Sequence, residues 1–307
     1  MNQPSVSEAP AVRAEVRDFL RRSRYMARGA VFTDLDGTAV HELEGRVHIP
    51  PEVEYGLKSV HDSGRMVIIN TLRFPRSVLA VFAREWHRIT GAAIPLVSLK
   101  GSQIGRVCPD ASGELVFDEF DAFTLDAAEI EEVLVGIEGM LRGGADDLLV
   151  FFYPRDWRIG ELVWTPDPQR IVPLQLKYRS ASEVFSGPVA MLRERLFAGE
   201  VCLVFLLHEV PADRRMAYQH TERTRFVTHR GVDKRHGSVQ IARRLGVDLE
   251  HSVGAGDAET DNFLEACGMA AIVGNMNLDF KGTLSTLRLP DPQAWGQVLF
   301  ELGASPA

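Results

Sequence analysis

Asp34 and Asp36 follow a short apolar run and belong to the sequence Asp-Leu-Asp-Gly-Thr at residues 34–38. Because Gly37 permits an abrupt turn, both carboxyl groups can face one site. One carboxylate can attack phosphorus to form an aspartyl-phosphate, while the other protonates the leaving group and later activates water. The same residues also suit an Asx-turn that caps a helix, so this pair needs support from other parts of the chain.

Thr71 and Lys234 are two further residues that can bind a phosphoryl group. Thr71 ends the apolar run at residues 66–70, and its hydroxyl can donate a hydrogen bond to a phosphate oxygen without adding charge. Lys234 precedes a predicted helix at residues 235–245, where an ammonium would neutralise phosphate and the attacking carboxylate. Taken alone, Thr71 suits a turn cap and Lys234 suits a solvated surface lysine.

Asp257 and Asp261 lie in the sequence Gly-Asp-Ala-Glu-Thr-Asp, which links an apolar run to a predicted helix at residues 259–267. Their spacing of four allows both carboxylates to converge at the first turn of that helix. Such oxygen ligands suit Mg²⁺, which takes one or two carboxylates together with waters and phosphate oxygens. Helix capping by acidic residues is the alternative explanation. The glycines do not form a dinucleotide fingerprint, because the third glycine is missing.

Each of these features follows an apolar segment that is predicted to be a strand. The predicted strands at 29–33, 66–70 and 252–255 lack period-two alternation and are separated by predicted helices, for example at 51–61 and 76–86. This order is typical of a parallel sheet covered by helices, a Rossmann-like α/β core. Ligands bind at the carboxyl ends of such strands. The sequence therefore predicts that all four features meet at one edge of the sheet.

The middle of the chain has a different pattern. Predicted strands at 148–153, 161–165, 202–209 and 225–228 are accompanied by predicted helices at 125–141 and 189–197. This segment reads as an inserted α+β cap domain at residues 119–228. The catalytic core would then be discontinuous, formed by residues 1–118 and 229–307. We expect the polar residues 1–10 to be loose.

The composition excludes several classes of protein. With 45% hydrophobic and 25% charged residues the chain can form a real core, and its net charge of −8 argues against a nucleic-acid-binding protein. The three cysteines are far apart and show no CxxC spacing, which favours a reducing cytoplasm over disulfides or structural zinc. The first 30 residues lack the apolar region of a secretory signal, and no apolar run could span a membrane. We therefore expect a cytoplasmic protein with no membrane partner.

The ordered motifs resemble those of the haloacid dehalogenase-like (HAD) superfamily. The resemblance implies a Rossmann-like core, an aspartyl-phosphate intermediate and Mg²⁺ as cofactor. By motif match, Asp34 would be the nucleophile and Asp36 the acid and base. The phosphoryl group would be held by Thr71, Arg73 and Lys234. The metal would be held by Asp34, Asp257, Asp261 and the backbone carbonyl of Asp36.

The long insertion resembles the cap of the Cof-type group, which includes sucrose-phosphate and mannosyl-3-phosphoglycerate phosphatases. The local matches are Ser-Leu-Lys-Gly-Ser at 98–102 and Phe-Val-Thr-His-Arg-Gly-Val-Asp-Lys at 226–234. Three positions depart from the pattern of these relatives. Thr-Leu-Arg at 71–73 replaces Thr-Gly-Arg, Lys100-Gly101 replaces Asn-Gly, and Thr260-Asp261 replaces Asn-Asp.

The expected function is a magnesium-dependent phosphatase that hydrolyses a small phosphomonoester, such as a sugar phosphate or a related metabolite. Two alternatives stay open. A phosphomutase would use the same aspartyl-phosphate and return the phosphoryl group to its product, and a non-catalytic protein could bind the phosphorylated metabolite on the same scaffold. Tyr153, Trp157 and Trp164 could stack on a sugar, although aromatic residues near strands usually belong to the core. The sequence does not indicate an oligomeric state.

Overall fold

The computed structural model describes residues 9–43, 46–145, 147–209 and 222–304. For residues 1–8, the expectation that residues 1–10 are loose lies outside the described part of the chain, whereas residues 9 and 10 belong to the first helix. Within these ranges no helix combines the length and the apolar character that crossing a membrane requires.

The strands are, in chain order, β1 (Ala30–Thr33), β2 (His41–Leu43), β3 (Arg46–His48), β4 (Met66–Asn70), β5 (Ile94–Ser98), β6 (Gln103–Pro109), β7 (Leu115–Ala122), β8 (Leu148–Pro154), β9 (Glu161–Thr165), β10 (Ala181–Ser186), β11 (Val201–Glu209), β12 (Glu222–Thr228), β13 (Val253–Gly256), β14 (Met269–Val273) and β15 (Ser285–Leu289). The α-helices are α1 (Ala9–Arg22), α2 (Tyr25–Arg28), α3 (Pro51–Asp62), α4 (Pro75–Val78), α5 (Arg84–Thr90), α6 (Ala127–Arg142), α7 (Ile171–Lys177), α8 (Val189–Phe197), α9 (Lys234–Leu245) and α10 (Pro292–Ala304).

The chain divides into two compact units. Unit 1 contains the residues up to 73, residues 78–120 and the residues from 233 onward, and unit 2 contains residues 74–77 and 121–232. The predicted domain boundaries, after residues 118 and 228, stay a prediction. The short segment 74–77, which directly follows Thr71 and Arg73 in the sequence, belongs to unit 2.

Unit 1 is built on an eight-stranded sheet in the order β15-β14-β13-β1-β4-β5-β6-β7. Neighbouring strands from β15 to β5 are parallel, and β6 runs antiparallel to β5. Every residue of β1, β13 and β14 is buried, which explains their continuous apolar runs. The predicted α/β fold with a Rossmann-like parallel-sheet core is confirmed.

One face of this sheet packs against α9. Phe32 and Ile68 of the sheet form a buried cluster with Ile241 and Ala242 of the helix. Truncating such a buried side chain to alanine costs about 2–5 kcal/mol, so this packing fixes where α9 begins relative to β1 and β4. The position of the first residue of α9 matters because that residue is Lys234.

Unit 2 is a five-stranded sheet in the order β10-β9-β8-β11-β12, antiparallel except between β10 and β9. Helices α6 and α8 contribute Ile130, Leu134 and Leu192 to the buried cluster on one face, and α7 contributes Leu174 to a second cluster. A capping box starts α6: the Asp126 side chain accepts from the Glu129 N–H, and the Glu129 side chain accepts from the Asp126 N–H.

The helix predicted at residues 259–267 is wrong. Residues 258–261 form a turn, and only a short 3-10 helix follows, from Asn262 to Ala266. The reason is the Asp261 side chain, whose Oδ2 accepts hydrogen bonds from the N–H groups of Asp257 and Ala258, both at 2.9 Å. These bonds hold the backbone in a turn instead of the first turn of an α-helix.

Candidate active site

The strand register of unit 1 brings the predicted residues to one edge of the sheet. Thr33, the last residue of β1, pairs with Ile69 of β4 on one side and Ala255 of β13 on the other. The Asp34 N–H also donates to the Ala255 carbonyl at 2.9 Å. Asp34, Thr71 and Asp257 therefore leave three adjacent parallel strands at the same edge, where α/β proteins bind their ligands.

Lys234 links two of the aspartates. Its Nζ lies 2.9 Å from Asp34 Oδ1 and 2.6 Å from Asp261 Oδ1, and its side chain is only 1% exposed. The Asp233 side chain caps α9 by accepting from the His236 N–H at 2.7 Å, which sets the start of the helix at Lys234. A buried ammonium requires such carboxylate partners, since an unpaired buried charge is strongly destabilising.

Burial and neighbouring charges shift the pKa values of the ionisable groups in this cluster. Burial raises the pKa of Asp34 well above its usual value; Lys234 opposes this effect, and Asp261 and Asp257 add to it. Burial and then Asp261 raise the pKa of Asp257. Burial alone would lower the pKa of Lys234, but Asp34 and Asp261 outweigh it and raise that pKa, so the group stays an ammonium at neutral pH. Two carboxylates thus contact the Lys234 ammonium, and the third, that of Asp257, lies beside them.

The donor set at this edge fits a divalent cation. Asp34, Asp257 and Asp261 each offer a carboxylate oxygen, and these oxygens lie within 4.8 Å of one another. The Thr38 hydroxyl donates to Asp257 Oδ1 at 3.1 Å. Gly37, with φ +75°, leaves room for this carboxylate, because a Cβ there would lie 2.1 Å from Asp257 Oδ2. A hard cation such as Mg²⁺ would favour the ionised carboxylates and so lower their raised pKa values.

Asp36 is held by Arg73 in a two-pronged ion pair. Arg73 Nε donates to Asp36 Oδ2 at 2.8 Å and Arg73 Nη2 donates to Oδ1 at 2.7 Å. The resemblance placed Arg73 on the phosphate, whereas here it is joined to the predicted acid and base.

Thr71 is fully buried, and its hydroxyl accepts a hydrogen bond from the Arg73 N–H at 3.2 Å. Its carbonyl accepts from the Lys100 N–H, and the Arg73 carbonyl accepts from the Leu99 N–H, both at 3.2 Å. Leu99 and Lys100 have φ values of +49° and +59°. This left-handed conformation costs an ordinary residue roughly 1–2 kcal/mol.

Asn70 is a site residue that the sequence reasoning missed. Its buried side-chain amide donates to the Lys234 carbonyl at 3.0 Å and to the Ser238 hydroxyl at 2.8 Å. These bonds tie the end of β4 to the start of α9. The signal was available, since a polar amide closes an otherwise apolar strand, but its partner is 164 residues away.

Trp164, one of the aromatic residues considered for sugar stacking, is fully buried in the core of unit 2. It therefore offers no stacking surface in this structure. Tyr153 instead donates its hydroxyl proton to Glu161 Oε2 at 2.6 Å.

The chain has the same fold as solved structures of the HAD superfamily. The resemblance to that superfamily is therefore confirmed at the level of the fold. A HAD-superfamily phosphatase from Bacteroides thetaiotaomicron aligns with a TM-score of 0.63 and 16% identity, over 91% of this chain and 97% of that one. A HAD subclass IIB sugar phosphatase aligns with a TM-score of 0.59 and 16% identity, over 88% of this chain and 96% of that one. A protein from a phosphoryl-transfer superfamily aligns with a TM-score of 0.61 and 16% identity, over 90% of this chain and 99% of that one. No family model and no curated protein matches the sequence.

Proposed function

We propose that this protein is a magnesium-dependent phosphatase that hydrolyses a small phosphomonoester through an aspartyl-phosphate on Asp34. The observation that carries the proposal is the buried contact of Lys234 with Asp34 and Asp261, beside Asp257, at the carboxyl edge of the sheet. A purely structural ion pair needs one carboxylate for its ammonium, whereas this cluster brings three carboxylates close together.

In the first step, an Asp34 carboxylate oxygen attacks phosphorus and the bond from phosphorus to the leaving oxygen breaks. Lys234 lies 2.9 Å from Asp34, so its ammonium can neutralise charge on both the nucleophile and the phosphoryl oxygens. Thr71, at the end of the neighbouring strand, is proposed to donate its hydroxyl proton to a phosphoryl oxygen.

Asp36 is proposed to transfer the protons. Its carboxyl group gives a proton to the leaving oxygen in the first step. In the second step its carboxylate takes a proton from water, the water oxygen attacks phosphorus, and the bond to Asp34 breaks to release inorganic phosphate. Arg73 fixes the direction of an otherwise half-exposed carboxylate by holding both of its oxygens.

Asp34, Asp257 and the carbonyl of Asp36 are proposed to hold Mg²⁺, which supplies the positive charge that lets a carboxylate and a phosphate approach each other. Both oxygens of Asp261 already accept hydrogen bonds, from Lys234 and from two backbone N–H groups. These contacts support a role for Asp261 in positioning Lys234 and the loop. The role of Asp261 as a metal ligand stays a prediction.

The likeness to a sugar phosphatase supports a sugar phosphate or related metabolite as substrate. We also propose that unit 2 acts as a cap and determines which substrate the protein accepts. Cys108, Cys202 and Cys267 are free thiols, which supports the proposed cytoplasmic location.

The test is phosphate release from a broad panel of phosphate esters, with Mg²⁺ or with EDTA. We expect Mg²⁺-dependent release, and we expect Asp34→Asn to lower kcat by at least about 10⁴-fold while the circular dichroism spectrum is unchanged. Mg²⁺-dependent activity retained in Asp34→Asn would rule out the mechanism. Conversion of a sugar phosphate into its isomer without phosphate release would indicate a phosphomutase, and no turnover of any ester would indicate a binding protein.

A further inference from the structure

Asn70 places an amide in an otherwise apolar face of the sheet. It is the last residue of β4 and is fully buried. Two residues earlier on the same face, Ile68 packs with Ile241 and Ala242 of α9. Burying an amide costs free energy unless its donors find partners. This position therefore serves a contact that an apolar side chain could not make.

The two hydrogen bonds of the amide lie one helical turn apart on α9. Asn70 Nδ2 donates to the Lys234 carbonyl at 3.0 Å and to the Ser238 hydroxyl at 2.8 Å. The atom that faces the carbonyl must be the amide nitrogen, because a carbonyl oxygen can only accept. Residues four apart lie on one side of a helix. Together the two bonds fix both the height and the rotation of the first turn of α9 against β4.

The helix itself does not require these bonds. Helical geometry already gives the Lys234 carbonyl a partner, the N–H four residues further on. The start of the helix is capped by Asp233, whose oxygens accept from the His236 N–H at 2.7 Å and from Asn262 Nδ2 at 2.6 Å. Asn70 therefore adds a fixed position for α9 instead of completing its cap.

The same contacts hold Lys234 at both of its ends. Thr33 of β1 pairs with Ile69 of β4, so Asp34 and Asn70 each follow this pair by one residue on adjacent strands. Asp34 Oδ1 lies 2.9 Å from the Lys234 ammonium, and Asn70 bonds the Lys234 carbonyl. A lysine side chain is flexible, so its carboxylate partners alone would not fix the backbone from which it extends. Asn70 supplies that second point of attachment.

We propose that Asn70 is a positioning residue that aligns the Lys234 ammonium with Asp34 and the phosphoryl group. Asn70 acts through Lys234 and does not touch the substrate. This inference rests on the proposed phosphatase function, which it deepens by assigning a task to a residue outside the predicted site.

The test is Asn70→Leu, because leucine has nearly the shape of asparagine but no donor. The variant replaces a buried amide by an apolar group, so the midpoint of urea unfolding should stay at or above that of the wild type. The value of kcat/KM for p-nitrophenyl phosphate should fall about tenfold or more, since a shift of about 1 Å can cost about 100-fold. Asn70→Ala, which cannot clash with α9, should lose the same activity.

The matched control is Leu299→Ala, which weakens unit 1 away from the site. Leu299 is buried on α10 and packs on α3, where a Cβ at Gly56 would lie 2.5 Å from Leu299 Cβ. The cavity should lower the urea midpoint, while kcat/KM measured well below that midpoint should stay within about twofold of the wild type. Ser238→Ala removes one of the two acceptors of Asn70 and should lower kcat/KM only about two- to threefold.

A double-mutant cycle tests whether Asn70 acts through Lys234. In a Lys234→Met background, Asn70→Leu should lower kcat/KM by less than about a further twofold, because the group that it positions is gone. Inhibition by orthovanadate, which mimics the five-coordinate transition state, gives a readout other than turnover of the variant's substrate. In Asn70→Leu alone, the inhibition constant of orthovanadate should rise about tenfold and that of inorganic phosphate less than about threefold.

Each outcome distinguishes this inference from the function beneath it. Wild-type values of kcat/KM and of the orthovanadate constant in Asn70→Leu would overturn the role of Asn70 and leave the phosphatase intact. A full tenfold further loss in the Lys234→Met background would overturn it too, and so would an equal loss of activity in Leu299→Ala. Failure of the wild type to hydrolyse any ester would overturn the proposed phosphatase and the positioning role with it.

Discussion

The two units of this protein treat buried carboxylates in opposite ways. In unit 2, Glu129 is buried but accepts from the N–H groups of Asp126 and Arg230, and it pairs with the His229 ring. Glu161 is also buried and accepts from the hydroxyls of Tyr153 and Ser180. Glu129 also lies 3.9 Å from Nε of Arg230, whereas the two donors to Glu161 are neutral hydroxyls. In both cases backbone or side-chain donors satisfy a single buried carboxylate.

In unit 1 the carboxylates are gathered together. Asp34, Asp257 and Asp261 lie close enough together to bind one cation, and the Lys234 ammonium contacts two of them, Asp34 and Asp261. The difference follows from topology, because adjacent parallel strands release their polar ends at one edge, whereas the mostly antiparallel sheet of unit 2 spreads its polar ends over both edges. A carboxylate cluster that the protein does not neutralise by itself indicates where a cationic ligand belongs.

The largest expected effect comes from breaking the shared ammonium. Lys234→Met keeps the length of the side chain but leaves Asp34 and Asp261 without their cation. Removing one partner of a buried ion pair costs about 3–5 kcal/mol, so the midpoint of urea unfolding should fall clearly, and activity should fall by at least about 100-fold. An unfolding midpoint equal to that of the wild type would contradict the view that these charges depend on one another.

A smaller effect is expected at Arg73. Arg73→Ala removes the group that orients Asp36, so kcat should fall about 10- to 100-fold, and phosphoenzyme should accumulate in rapid-quench experiments because water is activated more slowly. KM should change less than about threefold if Arg73 acts through Asp36, and rise more if it binds phosphate.

The matched control for Arg73 is Arg106→Ala. Arg106 also bonds an aspartate of unit 1, Asp118, at 2.9 Å, but this pair is half-exposed. Exposed pairs contribute about 0–1 kcal/mol, so activity should stay within about twofold of the wild type. Equal losses in the two variants would show that the Arg73 effect is not specific to Asp36.

The smallest effect expected is the pH dependence of stabilisation by Mg²⁺. Burial and then Asp261 raise the folded-state pKa of Asp257 above its unfolded value of 3.8. Without metal, the stability present below about pH 4 is therefore lost as pH rises through the folded pKa. Protons and Mg²⁺ compete for the same oxygens, so Mg²⁺ should raise the melting temperature more at pH 7.5 than at pH 5. At pH 7.5, Mg²⁺ at 100 times its Kd should stabilise the fold by about 2.7 kcal/mol. Scanning fluorimetry with Mg²⁺ or EDTA measures this difference.

Glu161→Gln provides the counterpart in unit 2. Burial raises the pKa of Glu161, and the hydrogen bonds from Tyr153 and Ser180 lower it. The wild type should lose the stability that protonated Glu161 contributes as pH rises from 4.5 through its folded-state pKa, and the neutral glutamine should remove this loss. The rise in melting temperature caused by Mg²⁺ should be the same as in the wild type. A smaller Mg²⁺ effect in this variant would contradict the assignment of the cation to unit 1.

The sequence predicted β4 at its observed bounds and β1 and β13 within one residue, because buried parallel strands are continuous apolar runs. It did not predict the turn at 258–261, since that turn depends on Asp261 bonding to nearby backbone instead of continuing a helix. The pairing of Arg73 with Asp36 was also missed, because a guanidinium suits a phosphate and a carboxylate equally well.

The sequence by itself indicated the groups at the strand ends, which are the carboxylates of Asp34, Asp36 and Asp257 and the hydroxyl of Thr71. It also placed the ammonium of Lys234 at the start of a helix. The tertiary structure decided how these groups are paired, from the contact of Lys234 with two aspartates to the left-handed backbone of Lys100. The physical reason is that strand and turn preferences are local and can be read from neighbouring residues. Burial, pKa shifts and ion pairs depend on distances between residues that are far apart in the chain, such as Asp34 and Lys234, and these distances become fixed only when the sheet forms.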